Sequence, residues 1–147
     1  MSENTTALAV VARNKNGEVL KVWAKRHEWC SPMQAEVAAV YWAIQLAQKE
    51  KWQHIIIEGD AKSCFNPLTT SALQPDWSIA TIISNILDTC KLFLNCNFCW
   101  VRRCCNTAAH VAAKYTIKFC RICYFNMYSL PVVIVDACKN DSLCFVC

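Results

Sequence analysis

Apolar and polar positions follow two rhythms along this chain. Residues 7–12 (ALAVVA) form a short apolar run and residues 18–23 (EVLKVW) alternate, which predicts two strands. Between them Asn14-Lys15-Asn16-Gly17 reads as a hairpin turn, with Gly17 free to take a positive φ. Ser31-Pro32 then opens a helix, with serine as N-cap and proline at the first position. That helix runs through MQAEVAAVYWAIQLAQKE to Lys51.

His54–Glu58 (HIIIE) is rich in β-branched residues and reads as a buried-type strand. A short helix is expected after Asp60, up to Pro67, then a polar loop holding Pro75. Residues 77–93 carry helical spacing at Ile79, Ile82, Ile83 and Ile86, residues 94–101 are strand-like, and residues 106–118 are helical. Residues 119–147 are apolar and cysteine-rich with no clear period, and are expected to form an irregular tail. The order β-β-α-β-α-α-β-α predicts a mixed α/β domain with a hairpin at its front.

Composition narrows the class. At 147 residues the chain can bury a core of its own, and 55% hydrophobic residues with two glycines exclude a disordered polymer. The net charge of +4 tolerates an anionic partner without demanding one. No apolar run approaches the roughly eighteen residues of a membrane span, and the N-terminus lacks the basic region of a signal peptide. Twelve cysteines could suggest a secreted disulfide scaffold. The aliphatic and tryptophan content makes staples unnecessary, so the expectation is an intracellular protein, cytoplasmic or nuclear, with mostly reduced thiols.

Two acids carry the candidate chemistry. Ala39, Val40, Ala43 and Ala47 follow Glu36 by three, four, seven and eleven positions, a stripe expected to face the sheet. A carboxylate on that stripe is costly unless a cation or several donors meet it. Asp60 stands at the C-terminal end of a strand, the edge where α/β sheets place ligands. Two converging carboxylates repel, and Mg²⁺ relieves the repulsion. Simpler roles stay open at this point: Asp60 as an N-cap, and Glu36 in a first helical turn favoured by the dipole.

The run SPMQAEVAAVYWAIQLAQKEKWQHIIIEGDAKSCFNPL resembles the plant-type ribonuclease H-like domains related to retroelement ribonuclease H. VVARNKNGEVL looks like that family's second and third strands, and WVRRCCNTAAHVAAK resembles its last strand and helix. SLPVVIVDACKNDSL resembles tails found on such proteins. The resemblance implies a three-layer α/β/α fold with a mixed sheet. It also implies Mg²⁺-dependent cleavage of the RNA strand of RNA–DNA hybrids, with four acids holding two ions. Glu36 and Asp60 match the second and third acids, and His110 stands at the fourth.

No match to the first acid is found. Glu3 is the nearest carboxylate, but it lies too close to the second-strand match. The first, central strand is therefore expected to be missing, giving an N-terminally truncated domain over residues 1–118. Trp100 occupies the position of the mobile histidine that assists product release. With half the ligands present, Mg²⁺ binding and catalysis are expected to be weak or lost, and a non-catalytic interaction module of the same fold is the alternative. The implied partner is nucleic acid, either an RNA–DNA hybrid or structured RNA, with Arg102, Arg103 and Asn106 as contact residues.

Two further features carry alternative readings. Cys96-x-x-Cys99 and Cys120-x-x-Cys123 have the spacing of a four-cysteine zinc site. The first pair lies in a predicted strand, where positions three apart point to opposite faces, so zinc is not expected. Lys21, Lys25, Arg26 and His27 could contact phosphates or form an ordinary solvated surface.

Overall fold

The computed structural model describes residues 5–70, 74–119 and 122–142. Their elements, in chain order, are β1 (Thr6–Arg13), β2 (Val19–His27), α1 (Pro32–Lys49), β3 (His54–Gly59) and α2 (Lys62–Thr69). There follow α3 (Ala80–Cys90), β4 (Asn95–Trp100), a 3-10 turn (Arg103–Cys105), α4 (Thr107–Phe119), β5 (Ile122–Asn126) and α5 (Val132–Ser142). Contacts group them into two compact units. One is Ser31–Val101; the other joins the residues up to Cys30 with those from Arg102 onward.

In the unit that holds the chain ends, β1, β2 and β5 form an antiparallel sheet with β2 in the middle. The hairpin forms as its sequence predicts. Gly17 takes φ +79°, and the Asn14 carboxamide oxygen accepts from the backbone N–H groups of Asn16 (2.9 Å) and Glu18 (3.0 Å). One sheet face packs against α4, and α4 packs against α5, around a core of Val22, Ala24, Ala108, Ala112, Cys123, Ile134 and Ala137.

The unit Ser31–Val101 pairs β3 with β4 in parallel and packs α1, α2 and α3 around its own core. Val37, Val40, Ile44, Phe65, Ile79, Ile83 and Ile86 form its centre. Ser31 caps α1 in a full capping box, accepting from Gln34 N–H while the Gln34 side chain accepts from Ser31 N–H. Among the described residues β1 pairs only with β2, and β3 only with β4.

Three expectations need correction. Residues 119–147 are not an irregular tail where they are described, because β5 and α5 lie there. Ile134, Ala137, Cys138 and Asp141 are buried at spacings of three, four and seven from the first, a helical period hidden by apolar residues between them and by a buried acid. The α1 stripe centres on Val37, Val40, Ile44 and Ala47, which leaves Ala39, Ala43 and Glu36 half-buried at its margin. β3 is covered on one face only: Ile56 is 66% exposed while Ile55 and Ile57 are half-buried. Glu3, Cys120, Cys144 and Cys147 lie outside the described residues.

Candidate metal centre and nucleic-acid corner

In the unit Ser31–Val101, β3 ends on Gly59 and the chain passes through Asp60 and Ala61 into α2. The main chain at this point is held from several sides. Val101 N–H donates to Gly59 C=O (2.9 Å), and the Trp100 indole N–H donates to Asp60 C=O (3.0 Å). Gly59 has no space for a side chain, because an added Cβ would sit 2.7 Å from Cζ of the fully buried Phe65. Glycine is therefore what lets the strand run against the core and turn out at Asp60.

Glu36 comes to the same place from α1. One carboxylate oxygen of Glu36 and one of Asp60 lie within 4.8 Å of each other, and both residues are half-buried. The simpler roles do not account for them. Ala61, not Asp60, is the N-cap of α2, and Glu36 lies beyond the first turn of α1, which has no acid. The charge of Glu36 is felt beneath the pair: burial raises the Cys64 thiol above its ordinary range, and Glu36 adds to the rise against a hydrogen bond from Ser63.

Two carboxylate oxygens at this separation suit a small hard cation that takes oxygen ligands and keeps much of its water. Trp100 and Lys62 form one wall of the same corner. The indole is 40% exposed, and Lys62 Nζ sits 5.2 Å from its ring centroid. An indole has no proton to exchange near neutral pH, so Trp100 cannot relay protons as a histidine would. The sequence motif points to Trp100 but not to Lys62, although Asp60-Ala61-Lys62 puts the lysine two positions after the acid.

Arg102, Arg103 and Asn106 belong to the other unit, at the corner leading into α4. The 3-10 turn closes with Cys105 N–H on Arg102 C=O (2.8 Å) and Asn106 N–H on Arg103 C=O (3.0 Å). Both arginines are exposed, whereas Asn106 and His110 are half-buried, His110 lying in the first turn of α4.

An unforeseen residue fixes this corner. The buried Asp141 carboxylate accepts from the backbone N–H groups of Thr107 (2.8 Å) and Ala108 (2.9 Å), and pairs with Arg13 at 3.0 Å. It caps α4 from 34 residues away in sequence. Of the other basic candidates, Arg26 donates to Ile117 C=O near the end of α4 (2.6 Å), which is a structural role. The described cysteines are free thiols, and among the described residues no cysteine joins a cluster of three metal-ligating side chains. Burial and its neighbour Cys90 push the Cys96 thiol up to about 12.

Comparison with known proteins agrees with this architecture. A family model described as reverse transcriptase-like matches residues 1–116. The structure resembles ribonuclease H1 of the archaeon Halobacterium salinarum NRC-1, with a TM-score of 0.66 at 19% identity over 76% of this chain and 85% of that one. It also resembles the N-terminal ribonuclease H domain of the Mycobacterium tuberculosis protein Rv2228c, solved as a fusion with maltose-binding protein. There the TM-score is 0.59 at 14% identity, covering 78% of this chain and 93% of that one. No curated protein matches the chain. The mixed α/β fold is ribonuclease H-like.

Proposed function

The chain belongs to the reverse transcriptase-like family, and from that premise we propose a nucleic-acid-binding ribonuclease H-like domain with a reduced Mg²⁺ site. The observation that carries this reading is the approach of the Glu36 and Asp60 carboxylates at the end of β3. These two residues would hold the ion, and His110 is assigned to the fourth position on the sequence resemblance alone. When bound, Mg²⁺ supplies positive charge against a scissile phosphate and acidifies its bound water. The protein's part is to orient the two carboxylates. The turn at Gly59 and the Trp100 bond hold Asp60, and the capped α1 holds Glu36.

Arg102, Arg103 and Asn106 are assigned to backbone contacts with an RNA–DNA hybrid or structured RNA, read by A-form shape and phosphates. A reducing compartment, cytoplasmic or nuclear, goes with the free thiols of the described cysteines. No helix among the described residues is long and apolar enough to cross a membrane.

The test is cleavage of an end-labelled RNA–DNA hybrid with and without Mg²⁺, alongside hybrid binding by anisotropy. Weak Mg²⁺-dependent cleavage abolished by Asp60→Asn and Glu36→Gln is the expected result. Cleavage that survives Asp60→Asn would remove the metal-site assignment. Binding without any cleavage would favour the alternative, an interaction module that keeps the fold. On that side stands Trp100, whose indole N–H is bonded to Asp60 C=O and which, by the sequence resemblance, takes the place of a proton-relaying histidine.

A further inference from the structure

The β1-β2-β5 sheet has two unlike faces. On the inner face Val22, Ala24 and Cys123 are 0%, 1% and 5% exposed. On the outer face, alternation and register place Lys21, Trp23 and Lys25 of β2 opposite Asn126, Tyr124 and Ile122 of β5. Tyr124 is 51% exposed and Ile122 76%. The Trp23 and Tyr124 rings lie 6.0 Å apart at 42°, and Lys21 Nζ stands 6.0 Å from each ring centroid.

We propose that this outer face binds single-stranded nucleic acid, with bases stacking at Trp23 and Tyr124 and phosphates met by Lys21 and Lys25. Charge argues for this occupant. The three strands contain no Asp or Glu, and alternation places Lys21, Lys25 and His27 on this face, whereas Arg13 and Arg26 are engaged by Asp141 and by the end of α4. Lysines on a sheet often protect an exposed edge, but β2 is the central strand, so edge protection does not explain them. Four residues along a strand put Lys21 and Lys25 roughly 13 Å apart, on either side of the aromatic pair, which suits a chain of phosphates passing over stacked bases. An apolar protein partner would not call for two cations around the rings.

Half of the platform comes from β5, which lies beyond the residues matched by the family model. The surface is thus a feature of this chain rather than of the Glu36–Asp60 site, and it does not depend on cleavage.

The test is binding of fluorescent twelve-nucleotide oligo(dT) and oligo(U) by anisotropy, using the full chain at several salt concentrations. Tyr124→Ala is expected to weaken binding roughly tenfold, about the loss of one stacked base, while Tyr124→Phe keeps the affinity. Lys21→Gln with Lys25→Gln should lower the salt slope by about 1.4, or 0.7 per phosphate contact on a single strand. Asp60→Asn should leave single-strand binding unchanged even where hybrid cleavage is lost, which separates this surface from the carboxylate site. No single-strand binding by the unaltered chain would overturn the proposal. So would unchanged affinity and salt slope in folded Tyr124→Ala and double-lysine variants.

Discussion

Asp141 offers the sharpest test of how the corner before α4 is held. Its carboxylate takes two backbone N–H groups and one guanidinium at 2.8–3.0 Å, with 2% of the side chain exposed. Asp141→Ala strands all three donors in a site with little water. Removing one partner of a buried ion pair costs roughly 3–5 kcal/mol. Arg13 keeps 24% of its side chain exposed and can turn toward solvent, so the lower end, about 3 kcal/mol, is expected. Asp141→Asn retains one acceptor and the volume, and should cost about 1.5–2 kcal/mol. Arg13→Met leaves the carboxylate on its two N–H groups and should cost about 1 kcal/mol. At roughly 2–4 °C per kcal/mol for a domain of this size, Asp141→Ala should lower Tm by roughly 6–12 °C. Urea unfolding at pH 7, with the double variant closing a cycle, measures each step. If Arg13→Met proved as damaging as Asp141→Ala, the ion pair rather than the helix cap would be the main interaction. If both Asp141 variants stayed within about 0.5 kcal/mol of the parent, the capping role would be refuted.

Two other outcomes follow from the packing and the thiols. Gly59→Ala should destabilise by roughly 1–3 kcal/mol through overpacking against Phe65, and should weaken any Mg²⁺ effect by shifting Asp60; calorimetry with and without Mg²⁺ reads both. The Cys96 thiol has a folded-state pKa of about 12 against an ordinary 9.0, chiefly from burial and then from Cys90. The unfolded chain therefore loses that proton first, so the contribution to stability is complete below about pH 9 and is lost as pH rises toward 12. Cys64 and Cys138, also raised by burial, act in the same direction. Urea midpoints at pH 7.5 and pH 10 should fall less for Cys96→Ala than for the parent, and equal falls would contradict the assignment.

Much of the fold was legible because local chemistry and tertiary structure agree. The Asn14–Gly17 turn, the Ser31-Pro32 helix start and the isoleucine period of α3 are written in residues whose conformational preferences operate over a few positions. The ribonuclease H-like resemblance was likewise present in short motifs in the right order, and it singled out Glu36 and Asp60 before any distance was known. Other features needed the folded chain. β5 becomes a strand because β2 supplies its ladder, and α5 was obscured because its buried stripe ends in an acid that finds its partners at Thr107, Ala108 and Arg13. Sequence alone thus determined most of the local elements and nominated Glu36 and Asp60 as a candidate pair. Only the tertiary structure decided that Glu36 and Asp60 converge and that Asp141 is buried, because both depend on partners distant along the chain.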